Sequence, residues 1–169
     1  MRKVTSRRPG SGVSPIGPGD RSQPQVITRR WSEATAHAAF RLAEQRANRR
    51  GRPGRVAIGS KHNVLPRTDG LFRDVALEVG AQYPEIDVTS YLADDLARRL
   101  VANAAHLDVL PNMYGDILSD AAAAVIGGLG VAPSGCYGDD YAYFEPAHGT
   151  APDIAGHNVI SPPHRCCRR

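Results

Sequence analysis

Short apolar runs alternate along this chain with longer stretches of helical periodicity, and that alternation limits its possible folds more than any other feature. Arg55 to Gly59, Ile86 to Tyr91 and Leu107 to Leu110 read as strands, each bounded by turn residues or by a helical pattern. A strand that passes through a helix before the next strand closes most readily into a sheet covered by helices, so the fold class is α/β. The sequence contains no internal repeat.

The helices carry their own signals. Structure is expected to begin at Val26-Ile27-Thr28. The first helix should follow over roughly 32–49, with Ser32 as N-cap and Glu33 in its first turn. Ala39, Leu42, Ala43 and Ala47 form its apolar stripe, with Thr35 and Phe40 near the edges, and Gly51 stops it. A second helix at 69–79 places Leu71, Phe72, Val75, Ala76 and Val79 on one face and ends at Gly80. Leu96, Leu100 and Val101 mark a third, and 116–126 a fourth, closed by Gly127-Gly128. Beyond residue 130 the texture changes to turns and short extended pieces.

Composition narrows the function. The net charge of +4 invites a nucleic-acid partner, but its distribution opposes one. Eight of the 21 basic residues lie within 1–22 and 164–169, against only Asp20, so the stretch 23–163 carries a net of −3. A nucleic-acid binder is expected to place its basicity on a face of the folded module. No apolar run approaches the ~20 residues that span a bilayer, and Met1-Arg2-Lys3 leads into no apolar segment of a secretory signal. The expected location is the cytoplasm, with neither nucleic acid nor membrane as partner. Cys136, Cys166 and Cys167 have no metal-ligand spacing and read as free thiols. Residues 1–24 are expected to be a flexible basic leader, 25–163 the folded domain and 164–169 an unstructured tail.

Four segments carry the chemistry. In Asn112-Met113-Tyr114-Gly115-Asp116-Ile117-Leu118-Ser119-Asp120 the two aspartates stand four apart at an expected helix start, so their carboxylates share one side. That pair repels itself unless a hard divalent cation reverses the sign; spacing alone fits a capping Asp116 beside a solvated Asp120 better. Lys61-His62-Asn63-Val64-Leu65 follows a strand end and precedes Thr68-Asp69-Gly70-Leu71-Phe72; a lone lysine there is more often solvated than functional. Ala93-Asp94-Asp95-Leu96 follows the strand at 86–91, where Asp94 serves equally as a helix cap. The fourth runs from Glu145 through Pro146, Ala147, His148, Gly149, Thr150, Ala151, Pro152 and Asp153 to Gly156. Its small residues allow close approach of a planar ligand.

Together these segments resemble the isocitrate/isopropylmalate dehydrogenase family of β-decarboxylating hydroxyacid dehydrogenases. The first resembles that family's Asn-x-(Phe/Tyr)-Gly-Asp-Ile-x-Ser-Asp signature, followed as there by Gly-Gly-Leu-Gly-Val-Ala-Pro-Ser at 127–134. The resemblance implies that Asp116 and Asp120 ligate Mg²⁺ or Mn²⁺, and that Asp94 reaches a metal across a dimer interface. It gives Lys61, which like Asp94 would come from the partner subunit, a proton-transfer role and places Asn63 and Asn112 beside the cofactor or substrate. It makes Glu145, His148, Gly149, Thr150, Ala151 and Asp153 an adenosine-binding loop, in which Asp153 favours NAD over NADP because a carboxylate repels a 2′-phosphate.

The implied activity is oxidation of a small 2-hydroxy acid of the 3-isopropylmalate, isocitrate or homoisocitrate type, with loss of CO₂. The implied assembly is a homodimer, or a heterodimer with a relative. The likeness runs over about residues 25–162 and corresponds to the family's C-terminal half. The family's other half supplies the arginines that hold substrate carboxylates and a tyrosine that helps protonate the enolate, and no equivalent arginine cluster stands in this sequence. A truncated chain inactive alone is therefore expected, and the alternative is a non-catalytic regulatory or interaction subunit pairing with a full-length relative. Three positions depart from the pattern. His62 replaces a small residue, Ser161 stands where an adenine-contacting Asn is usual, and Leu107–Asn112 is shorter than the family's strand before the metal motif.

Overall fold

The computed structural model describes residues 25–102, 107–109, 112–138, 140–146 and 149–159. Its elements run in the order α1 (Arg29–Arg50), β1 (Gly54–Ser60), α2 (Asp69–Gly80), β2 (Ile86–Leu92), α3 (Ala93–Val101), β3 (Leu107–Val109), α4 (Asn112–Val125), a 3-10 turn at Leu129–Val131, β4 (Pro133–Tyr137), β5 (Ala142–Pro146) and a second 3-10 turn at Pro152–Ile154. β1 is the middle of a parallel sheet ordered β2-β1-β3. β4 and β5 form a separate antiparallel pair in which Pro133 faces Pro146 and Tyr137 faces Ala142.

The expected α/β alternation is present. Apart from Arg55, every residue of β1 is buried. That follows from the period-2 pleat with helices on both faces, because a covered parallel strand has no solvent side. Val56 and Ile58 point into a core shared with Ala36, Phe40 and Ala43 of α1, Phe72, Ala76 and Val79 of α2, and Ile86 of β2. Ala57, between them, faces the other way and meets Leu96 of α3 and Leu118 of α4. Side chains of the size of Val56 and Ile58 each contribute about 1.5–3 kcal/mol when withdrawn from water.

Three expectations about helices are corrected. α1 starts at Arg29, capped by Thr28, whose Oγ1 accepts the Trp31 N–H at 3.4 Å. Ser32 is buried within the helix and donates its hydroxyl to the Thr28 carbonyl at 2.9 Å. Arginine is unfavourable at a helix N-terminus, but Arg29 gains ion pairs with Glu33 on its own helix and with Glu78 of α2. The buried face of α1 is Ser32, Ala36, Phe40 and Ala43, while Leu42 is partly exposed. Phe40 is at the centre of that face rather than at its edge. Gly51 does stop the helix, in the left-handed conformation with φ 61°.

α2 ends at Gly80 as expected, and the glycine is not in the left-handed conformation. A Cβ there would stand 2.9 Å from Phe40 Cζ and 3.3 Å from Val88 Cγ2. The glycine allows α2 to approach α1 and β2. The fourth helix begins at Asn112, a full turn before the expected start at Asp116. Gly115 is tolerated inside it because Leu118 is buried and Tyr114 half-buried, and their packing outweighs the ~1 kcal/mol intrinsic cost of a helical glycine.

Gly80→Ala separates helix propensity from packing. Propensity alone favours alanine, whereas overpacking against the fully buried Phe40, which is stacked on Tyr83, opposes it. Denaturant melts should show a net loss of roughly 1–2 kcal/mol; a gain in stability would mean that α2 does not approach Phe40 this closely.

Candidate functional site

In a parallel sheet every strand delivers its following loop to the same edge, and here that edge collects the candidate residues. β1 ends at Ser60, which is in register with Leu92, the last residue of β2. Lys61 is therefore one residue beyond one strand, and Asp94 two residues beyond its neighbour. β3 runs parallel to β1 on the other side and leads into α4. α2, which follows β1, packs on one face, and α4, which follows β3, packs on the other. Helices leaving adjacent strands toward opposite faces open a crevice at the carboxyl edge, the usual ligand position in open α/β sheets.

Lys61 Nζ and Asp94 Oδ1 are 2.8 Å apart. The lysine is partly sheltered and the aspartate mostly exposed, with side-chain exposures of 28% and 66%. Asp94 is not an N-cap; it lies within the first turn of α3, whose cap position is Leu92. The Lys61 ammonium, followed by backbone N–H groups at the helix start, holds the Asp94 carboxyl below its ordinary range. Neighbouring Asp95 is engaged elsewhere: each of its oxygens accepts a 2.7 Å bond, one from Arg98 and one from Arg99. Of the two adjacent aspartates, Asp94 is the one turned to the lysine.

The Lys61 loop is tightly built. The Lys61 carbonyl accepts the N–H groups of Val64 and Leu65, both at 2.9 Å. The Lys61 N–H donates to Asp69 Oδ2 at 2.7 Å. Asp69 has 0% exposure, and the Thr68 hydroxyl lies 3.5 Å from its other oxygen. Tyr114 of α4 lies near the same carboxylate; burial first, then the charge of Asp69, raises its phenol above the ordinary range. His62 turns inward, its Nδ1 2.8 Å from the hydroxyl of buried Ser60. Asn63 is exposed in the same loop.

Asp116 and Asp120 are both exposed on α4, one helical turn apart. Among the described residues no group of three or more His, Cys, Asp or Glu side chains gathers to hold a metal ion. Asp94 therefore meets Lys61 within the chain without joining Asp116 and Asp120 in one cluster. Asn112 is the first residue of α4. Glu145 lies on β5 opposite Ser134 and is exposed. Gly149, Thr150, Ala151 and Asp153 are exposed too, with Asp153 in the 3-10 turn that Ala151 precedes at φ 45°. Open space surrounds the position of a Cβ on Gly149. His148 and Ser161, like Cys166 and Cys167, lie outside the described residues. Cys136 is an exposed free thiol.

A sequence model of isocitrate/isopropylmalate dehydrogenases matches residues 20–164. The chain belongs to the isocitrate/isopropylmalate dehydrogenase family. It is 46% identical over 140 residues to an isocitrate/homoisocitrate dehydrogenase of Thermus thermophilus, covering 81% of this chain and 40% of that protein. It is 47% identical over 140 residues to a homoisocitrate dehydrogenase of Methanocaldococcus jannaschii, covering 82% of this chain and 39% of that protein. The crystal structure of a β-decarboxylating dehydrogenase from Thermococcus kodakarensis superposes with a TM-score of 0.76 at 34% identity, over 90% of this chain and 44% of that one. This member of the isocitrate/isopropylmalate dehydrogenase family thus spans about two fifths of the length of these relatives. Among its described residues no helix is long and apolar enough to cross a membrane.

Reasoning from sequence missed Asp69 and Tyr114 as members of this edge. A signal existed for Asp69, a charged residue two steps before an apolar helical face, but the helix-start preference for carboxylates explained it equally well.

The Lys61–Asp94 pair makes a pH-dependent contribution. Asp94 has a depressed folded-state value, so its stabilisation is present above the unfolded carboxylate range near ~3.9 and is lost as pH falls through the lower folded value. The stability difference between the parent and Asp94→Asn, followed by thermal melts from neutral to acid pH, should persist to about pH 4 and then vanish. A difference that does not change with pH would assign it to something other than this pair.

Proposed function

We propose that residues 25–163 form part of an NAD- and Mg²⁺- or Mn²⁺-dependent β-decarboxylating dehydrogenase. Its substrate would be a small 2-hydroxy acid of the isocitrate, homoisocitrate or 3-isopropylmalate type, and its assembly a homodimer or a heterodimer with a relative. The observation that carries this reading is the Lys61–Asp94 contact at the carboxyl edge of the sheet, beside the helix that bears Asp116 and Asp120.

The donor chemistry fits the metal. Asp94, Asp116 and Asp120 offer hard carboxylate oxygens, which suit Mg²⁺ and Mn²⁺ rather than softer ions. Asp116 and Asp120 would hold the ion in one subunit, and Asp94, together with Lys61 beside it, would reach the site from the other. When bound, the metal supplies Lewis acidity toward the substrate oxygens, and NAD⁺ takes up the hydride from the hydroxyl-bearing carbon. Asn63 and Asn112 would border the nicotinamide and substrate. Glu145, His148, Gly149, Thr150, Ala151 and Asp153 would take the adenosine end, with the Asp153 carboxylate on the ribose hydroxyls.

The reaction consumes a hydroxyacid and NAD⁺ and yields a keto acid, CO₂ and NADH. Lys61 Nζ is the atom that takes the hydroxyl proton. Taking it requires a neutral amine, so the ion pair with Asp94 must open before the transfer. Two features support a dimer. No three-carboxylate group forms within the described part of one chain, and α4 leaves Met113 and Ile117 53% and 61% exposed, one turn apart.

Mn²⁺ should raise the melting midpoint of the parent. At free Mn²⁺ about 100-fold above Kd the gain is ~2.7 kcal/mol. The rise should disappear in the Asp116→Asn/Asp120→Asn double variant, and a parent that melts cooperatively without any shift would sink the metal assignment. Sedimentation velocity tests the dimer separately: Ile117→Glu should convert a parent dimer to monomer, and a monomeric parent would rule the self-assembly out.

A further inference from the structure

Four arginines that the proposed reaction does not use stand together at the opposite end of the sheet. Arg46, Arg49 and Arg50 lie in the last turns of α1, spread over about 6 Å of its axis, and all are exposed. Gly51 turns the chain at φ 61°, and the Arg52 N–H then donates to the Ala47 carbonyl at 3.4 Å, which keeps the exposed Arg52 against the same helix end. Among the described residues none of the four makes an ion pair, whereas Arg29, Arg73, Arg98 and Arg99 each meet a carboxylate. Arg55 beside them is paired with Asp87 at 3.5 Å. The helix dipole favours Arg49 and Arg50 in the last turn, but its reach ends there and does not account for Arg52. Residues 45–55 hold five arginines and no acid, a net of +5; with a net of −3 over 23–163, the rest of that stretch carries −8. The mildly acidic total therefore conceals a basic face, the footprint expected of a nucleic-acid binder.

We infer that this end of α1 binds the phosphate backbone of duplex nucleic acid. A guanidinium meets phosphate through a planar, bidentate fork, and several such contacts on one face add up where a single one is screened by salt. A duplex carries one charge per about 1.7 Å of its axis in a rigid array, so the four arginines can engage it together. No aromatic residue stands in 41–55, which removes the base stacking that single-strand binding draws on. α1 and α4 pack on opposite faces of the sheet, so a dimer built through α4 leaves these arginines open. β1 runs from this end to Ser60 and separates the patch from Lys61 by roughly 20 Å. The surface is thus independent of the proposed dehydrogenase chemistry and needs neither metal nor hydroxyacid.

Fluorescence anisotropy of a labelled DNA duplex of about 20 base pairs, titrated with the full chain between about 50 and 200 mM salt, reads both the binding and its ionic part. Four phosphate contacts contribute about −3.6 to the slope of log K against log salt, a loss of roughly 150-fold across that range. The fourfold variant Arg46→Gln/Arg49→Gln/Arg50→Gln/Arg52→Gln should have a slope shallower by about 3.6. Neutralising Arg2, Lys3, Arg7, Arg8 and Arg21 with glutamine instead should still leave a slope of about −3.6. If the fourfold variant does not melt cooperatively, Arg46→Gln/Arg52→Gln takes its place, because it keeps the two arginines of the last turn, and should reduce the slope by about 1.8. A folded α1 variant that keeps the slope of the parent overturns the inference, as does a parent that leaves the anisotropy of the duplex unchanged at low salt. A labelled polyglutamate that the parent binds more tightly than the duplex at the same salt overturns it too, in favour of an acidic polypeptide. The Mn²⁺ response is read at the other edge of the sheet, so failure of either reading leaves the other standing.

Discussion

The carboxyl ends of three parallel strands can lie side by side only if the middle strand is covered on both faces, and β1 meets that condition with residues of opposite facing. Val56 and Ile58 hold the α1–α2 layer, and Ala57 holds the α3–α4 layer. The backbone of β1 pairs with β2 along its whole length and with β3 over Val56–Ile58, so the polar groups at its centre are satisfied by the sheet. The small side chain of Ala57 lets the second layer approach closely. The location of Lys61, Asp94 and the start of α4 follows from this arrangement, because each is attached to the end of a strand whose register β1 sets.

At that edge the charges sort themselves by available partners. Asp95 is taken by two arginines of its own helix, which leaves Asp94 for Lys61. Among the described residues Asp69 has no cation partner and relies on backbone and hydroxyl donors in a dry site. Among the described residues the exposed pair on α4 has neither, and two like charges one turn apart repel. Of the carboxylates at this edge, Asp116 and Asp120 are the ones whose electrostatics improve most when a cation arrives. The proposed metal chemistry draws on that imbalance, and the proposed dimer on the separation of Asp94 from the α4 pair.

Much of this was legible in the chain. The strand and helix order, the stop at Gly51, the apolar face of α2 and the β2 positions Ile86 and Val88 come from period and turn chemistry, which are local properties. The candidate segments were legible too, since Lys61, Asp94, Asp116 and Asp120 stand in motifs of unusual composition; their roles remain proposals. The differences share one cause. Ser32 and Asp116 look like helix starts because their side chains suit a cap, but burial of Ser32 and the contacts of Tyr114 and Leu118 carried both helices a turn further. Gly80 does end α2, and only its distance to Phe40 shows that it also allows close packing.

The sequence by itself determined which segments become strands and helices, the α/β class and the residue types offered to chemistry, because periodicity, capping and charge act over a few neighbouring residues. Only the tertiary structure decided that Lys61 meets Asp94 rather than Asp95, and that Asp69 is buried and accepts the Lys61 N–H. Those pairs are separated by many residues along the chain. Which of several similar side chains becomes a partner is set by strand register and by which groups are left without water, and neither is a property of a local segment.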